Sequence, residues 1–158
     1  MPLLSFFEWC EDTVVGHAIR DSLWLFPVIE SVHLLALALI GGAILVVDLR
    51  LLGLGLRLQP VAQLARDIQP WLIGSLLVMV STGILLFLSE SIKCYYSPPF
   101  WYKMRFLVVA ILFMFTVRRK VTATGEKRVR PIWRKLVALV SLGLWFGVGF
   151  SGRWIAFY

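Results

Sequence analysis

Apolar residues in this chain gather into four long runs, each closed by charged or helix-breaking positions. The pattern predicts four helices that cross a membrane. The spans read as about 23–48, 71–88, 101–117 and 136–157. At 1.5 Å per residue the first reaches roughly 37 Å, enough to cross with tilt. Pro27 lies in its first turns, where proline is best tolerated, and Gly41-Gly42 permits close approach of a second helix. Gly74, Ser75, Ser81, Thr82 and Gly83 make part of the second span small, as do Gly143, Gly147, Gly149 and Gly152 in the fourth.

The intervening stretches read differently. Residues 51–70 are too interrupted to span, and Val61, Leu64, Ala65 and Ile68 suggest a short surface helix starting near Pro60. Pro98-Pro99 stops any helix in the loop after the second span. Ahead of the first span, Leu3, Phe7, Cys10, Val14 and Ala18 recur at helical spacing, with Ser5, Glu8, Asp12 and Gly16 opposite them. That segment reads as an amphipathic helix lying in the membrane interface. The expected fold is therefore all-α: a four-transmembrane-helix bundle over residues 22–158, preceded by an N-terminal amphipathic interfacial helix over residues 1–21.

Composition sharpens this picture. Of 158 residues, 59% are hydrophobic and 16% charged, and the mean hydropathy is +0.84, so the bilayer is the first partner. The net charge of +7 does not indicate nucleic acid, because the basic residues cluster between the apolar runs. There they report orientation. Arg118, Arg119, Lys120, Lys127, Arg128, Arg130 and Arg134 mark one cytoplasmic loop, and Arg50, Arg57 and Arg66 mark the other. Both termini are then periplasmic in a bacterial inner membrane, which suits the acidic N-terminal segment. Trp9, Trp24, Tyr95, Tyr96, Trp101, Tyr102, Trp154 and Tyr158 form the aromatic belt on that side. Residues 1–20 carry no basic n-region, so no cleavable signal peptide is expected. There is no nucleophile–base pair and no nucleotide loop, and the chain does not read as an enzyme by itself.

The candidate chemistry centres on Glu30-Ser31-Val32-His33 in the longest apolar run. A carboxyl and an imidazole at i and i+3 share a helix face, and both are expected to turn inward with partners. A neutral imidazole near mid-depth can ligate haem iron, or it can simply hydrogen-bond a neighbouring helix. Met114 in the third span is the matching second ligand by distance along the helices, with Met79 also near mid-depth; core packing is the simpler reading of either methionine. His17 lies too far along the chain unless its helix folds back. Glu-x-x-His also marks di-iron bundles, but those need a second such pair. Glu30 can instead pair with Arg153. Lys103, Arg105 and Arg153 can receive haem propionates, although snorkelling to headgroups is the preferred reading of such cations. Cys10, Cys94 and His17 form no CxxC or zinc spacing; copper binding and a disulfide are both weaker readings than unpaired packing cysteines.

Taken together, certain segments resemble a family of small bacterial four-helix inner-membrane proteins of unknown function. That family is distantly similar to the membrane part of copper-resistance D proteins and to haem-b four-helix membrane proteins. The resemblance rests on Phe26-Pro27 through Glu30-x-x-His33, on Gly42 and Asp48-Leu49-Arg50-Leu51-Leu52-Gly53, on Pro98-Pro99-Phe100 followed by Lys103, and on Gly152-Arg153-Trp154-Ile155-Ala156-Phe157. It implies a histidine late in the third span, where this chain has Met114 before Thr116-Val117-Arg118. The expected function is a haem-b-binding electron-transfer subunit between quinol and a membrane or periplasmic redox partner. In it His33 and Met114 are axial ligands, Arg105 and Arg153 hold propionates, and Glu30 tunes the site. The alternatives are a cofactor-free accessory subunit of a larger membrane complex and a copper-handling membrane protein.

Overall fold

The computed structural model describes residues 2–55, 58–124 and 128–157. Arg57, Lys127 and Tyr158, assigned above to loops and belt, lie outside the described residues. The order is α1 (Pro2–Glu11), α2 (Val14–Asp21), α3 (Leu25–Leu52), α4 (Val61–Ser89), α5 (Ser91–Tyr96), α6 (Pro98–Phe113), a π-helical turn (Met114–Arg118), α7 (Arg119–Ala123) and α8 (Pro131–Ile155). Among the described residues four continuous helices are long and apolar enough to cross a membrane: Leu25–Leu52, Val61–Ser89, Pro98–Ala123 and Pro131–Ile155. The protein is an all-helical, multi-pass membrane protein. The N-terminal helices and the C-terminal end of α8 lie at one end of the bundle, here the terminal end; Arg50, Arg118 and Arg130 lie toward the other, the basic end.

Local chemistry sets the helix limits. Ser22 Oγ accepts from the Leu25 N–H at 3.2 Å at the start of α3. Gly53 closes it with φ +81°, and the Leu54 N–H reaches the Leu49 carbonyl at 2.9 Å, a left-handed cap that favours glycine. Prolines open α6 and α8, where a missing N–H costs nothing. The spanning helices exceed the apolar runs. The surface helix expected near Pro60 and the second span are one helix, with Pro70 inside it. A bilayer favours the continuous helix, since an open backbone would find no water there.

The N-terminal segment is two helices, broken at Asp12-Thr13. Thr13 Oγ1 accepts from the Gly16 N–H at 3.2 Å and donates to the Cys10 carbonyl at 2.8 Å. Both helices fold onto the terminal end. The Phe7 ring sits 5.2–6.4 Å from those of Phe87, Tyr95, Phe100 and Trp101. Glu11 accepts from the Ile92 N–H at 2.6 Å and from Arg20 at 2.9 Å, and Ser91 Oγ donates to the Phe7 carbonyl at 2.9 Å.

Below this aromatic cap the interior alternates between polar and apolar layers. His33 and Thr82 form the first. Ala36, Ile40, Ile44, Leu72, Met79, Ala110, Met114, Trp145 and Val148 form the central core. Asp48 and Arg118 form a second polar layer. Val47, Leu51, Val61, Leu64 and Ala138 close the basic end.

Gly16 packs so tightly on the Leu88 carbonyl that a Cβ has no room. Gly16→Ala is expected to lift α2 off α4, so that amides of residues 14–21 exchange faster with solvent while those of α3, α4 and α8 do not. Unchanged exchange over residues 14–21 would show that this contact does not hold the cap.

Candidate functional site

His33 is buried at the terminal-end third of α3, on the face that also carries Ala36, Ile40 and Ile44. Its Nδ1 lies 2.9 Å from Thr82 Oγ1 on α4. Thr82 donates its own proton to the Val78 carbonyl at 2.7 Å, the usual way a hydroxyl is satisfied inside a membrane helix. With that proton on Val78, the Thr82 oxygen is placed to accept from the ring. That arrangement favours the Nδ1–H tautomer, which leaves the lone pair on Nε2. Gly83 lies against the ring: a Cβ there would stand 3.2 Å from His33 Cε1. The second span's small residues therefore serve one purpose that is visible here, namely room for an imidazole.

Lys103 lies on the inward face of α6, in register with buried Ala110 and Met114. Its stem passes Gly152, whose added Cβ would stand 3.5 Å from Cε and 3.6 Å from Nζ. Its charge acts on His33 and on Cys94, so the three occupy one region beneath the cap. Among the described residues no carboxylate pairs with it. The snorkelling reading of Lys103 is thus corrected: the side chain is turned inward. Its position one face-repeat before Ala110 and Met114 was the signal.

The second polar layer escaped the sequence reading altogether. Arg118 Nε donates to Asp48 Oδ1 at 2.9 Å, with side-chain exposures of 8% and 0%, and Arg118 Nη2 reaches the Ile44 carbonyl at 3.5 Å. Ser141 faces the carboxylate from α8, yet neither its hydroxyl nor Asp48 Oδ2 closes a hydrogen bond. The sequence pattern ends the first span at 48 and assigns Arg118 to a basic loop. The apolar residues Leu49, Leu51 and Leu52 beyond Asp48 were the available sign that the helix continues.

The remaining candidates separate. Glu30 is exposed on α3, contrary to the expected inward orientation, because it lies off the face that buries His33. Arg153 is exposed with its guanidinium 5.4 Å over the Phe157 ring, and among the described residues Glu30 and Arg153 form no ion pair. Arg105 is exposed. Met114 is buried, but Arg118, one turn on, pairs with Asp48, and one turn back from that contact Met114 stands level with Ile44. That is eleven residues, roughly 16 Å, from His33. The structure does not bring these two together. His17 is exposed beside Arg20 and Asp12.

Cys10 is buried and Cys94 half-buried, both as free thiols. Burial raises the Cys10 thiol above its ordinary range. Burial, and then the nearby Glu90 carboxylate, push Cys94 up to about 11. Neither is a ready thiolate at neutral pH, and among the described residues no three His, Cys, Asp or Glu side chains converge as a metal site.

A family model spans residues 6–158 of the chain. The chain belongs to DUF6644, a family of unknown function. No curated protein and no solved structure matches it. Membership therefore accounts for the four-helix membrane chain as a whole, while the expected likeness to copper-resistance D and haem-b proteins is carried by none of these comparisons.

Two expectations follow. An ordinary cysteine ionises near 8.5, whereas the fold keeps Cys94 protonated to about 11. Its alkylation rate should therefore climb about tenfold per pH unit from pH 8 to 10 without levelling near 9. The linked stability is present below about pH 8.5 and is lost as pH rises through 11. A rate plateau near pH 9 in native protein would contradict the assigned environment. For the ion pair, Asp48→Leu strands a buried cation and should cost about 3–5 kcal/mol, while Asp48→Leu with Arg118→Met should cost less than the single change. Simple additivity in thermal unfolding would mean that the two groups do not act together.

Proposed function

We propose that the protein is a haem-b-binding membrane subunit that passes electrons between quinol and a membrane or periplasmic redox partner. His33 holds the iron through Nε2. The observation that carries this reading is the anchored imidazole. Metal-ligating histidines characteristically tie their other ring nitrogen to an acceptor, which fixes tautomer and orientation; Thr82 supplies that tie. Lys103 is the cation suited to a propionate, in preference to the exposed Arg105 and Arg153, since charge-assisted bonds gain from burial. Given its depth, Met114 receives no ligand role within one copy of the chain. Haem b, when bound, supplies a one-electron couple; the protein's own part is to fix the imidazole, keep it neutral and exclude water beneath the aromatic cap. The basic end faces the cytoplasm in this reading, by the charge of its loops.

A second reading, a cofactor-free accessory subunit, is favoured by the same hydrogen bond: Thr82 already satisfies His33 as a tie between α3 and α4. The two readings part on colour. Protein purified from haem-replete cells should show a b-type reduced-minus-oxidised spectrum. His33→Ala should abolish it, Thr82→Val should lower haem retention by about 10-fold or more, and Met114→Leu should leave it in place. A colourless wild-type protein would remove the haem reading and leave the accessory one. Reporter fusions after residue 157 and within the 124–130 connection should score opposite sides; agreement between them would overturn the topology.

A further inference from the structure

At the basic end, the first turns of α4 and the segment from the π turn through α7 leave a groove of about 400 Å³ between them. Its two ends differ in chemistry. Arg66 and Arg119 line the end nearer the basic loops, with Gln69 and Thr122 beside them. Toward mid-membrane the walls become Leu72, Ile73, Met114 and Phe115. Leu72 and Ile73 lie roughly 10 Å along α4 from Arg66, and Met114 and Phe115 roughly 7 Å along their helix from Arg119. Both walls therefore change from basic to apolar in the same direction and over a similar length. Ile73 and Phe115 are 36% and 41% exposed, so the apolar end opens sideways toward the hydrocarbon.

The charge of the groove is unbalanced. Arg118 is a third arginine in its wall, but Asp48 neutralises it from behind. Arg66 spends only its Nε on the Ala62 carbonyl, at 3.2 Å. Among the described residues neither Arg66 nor Arg119 pairs with a carboxylate, and no acidic side chain lines the groove. Two uncompensated guanidinium groups at the interface end, above an apolar slot open to the bilayer, complement one kind of molecule.

We propose that this groove binds an anionic phospholipid. The headgroup phosphate sits between Arg66 and Arg119, and part of one acyl chain lies along Leu72, Ile73, Met114 and Phe115. Arginine suits the phosphate because its planar fork donates two parallel hydrogen bonds. A basic site between membrane helices at the interface is the expected form of specific lipid recognition. The backbone along the groove is also irregular on both sides. Pro70 leaves the Arg66 carbonyl without its helical N–H partner, and the opposite wall contains the π turn, a feature that recurs at functional sites.

Delipidated protein in neutral detergent provides the test. Thermal unfolding is followed with phosphatidylglycerol, with phosphatidylcholine of the same acyl chains, and with inorganic phosphate. Phosphatidylglycerol should raise the midpoint by about 5 °C at saturation, and the other two should not. The double variant Arg66→Gln, Arg119→Gln should lose that shift; Arg130→Gln, which removes a basic-end charge outside the groove, should keep it. Equal stabilisation by phosphatidylcholine would mean apolar filling alone, and a full effect from inorganic phosphate would mean a free-anion site; either overturns the proposal, as does a shift that survives in the double variant. Should the double variant not fold, native mass spectrometry of the wild-type chain decides: preferential retention of phosphatidylglycerol over phosphatidylcholine supports the site, and equal retention overturns it.

Discussion

A guanidinium and a carboxylate 2.9 Å apart, with side-chain exposures of 8% and 0%, fix how the first and third spanning helices stand against each other. Neither charge can be left alone in hydrocarbon, so any sliding of α3 past α6 that parts Asp48 from Arg118 strands two buried ions. Apolar packing alone would not supply such a stop, because one leucine layer meets another about as well a turn away. The pair contributes little as net stabilisation, given its desolvation cost, but it is well suited to specifying register.

Register at the basic end becomes geometry at the other. Both helices run from the terminal end to the basic end. His33 precedes Asp48 by fifteen residues, and Lys103 precedes Arg118 by fifteen. Locking the second pair in depth therefore brings the first pair to one level, roughly 22 Å away. Thr82 then arrives from α4, with Gly83 making room for the ring. The cap over this layer is tied by Glu11, Arg20, Ser91 and the Phe7 aromatic cluster. What lies beneath it is a buried imidazole tied to Thr82 and an inward-turned, half-buried lysine.

The sequence made much of the architecture legible because hydropathy and the period of the helix are local signals. The four apolar runs and the importance of His33 both came from them. The failures came where a decision depended on a partner. Pro70 reads locally as a break, yet the bilayer's intolerance of unpaired backbone carries the helix through it. Asp48 reads as a boundary only while Arg118 is unseen. Glu30 shares the i, i+3 rule with His33, but a shared helix side is broad enough for one residue to be buried and the other exposed. Distance along the helices matches Met114 to His33 only while the depth of the third span is set by its apolar run. Counting from the Asp48–Arg118 contact instead places it with Ile44.

The π turn is the last piece that local reading could not supply, and it is what makes the ion pair possible. Ala110, Met114, Arg118 and Thr122 are all buried and spaced four apart. In an α-helix each such step drifts about 40° around the axis, so three steps would carry Thr122 far off the face of Ala110. A wider turn drifts the opposite way and cancels part of the error. Placing the π turn over Met114–Arg118 therefore keeps Arg118 aimed at Asp48, and keeps Thr122 inside, without changing the face on which Lys103 and Ala110 already lie. The widened backbone costs helical hydrogen-bond geometry, and it does so beside the proline-interrupted stretch of α4. Two locally unfavourable backbones on opposite walls of one groove are the combination that packing alone would remove, and the buried arginine behind them is the reason one of the two persists.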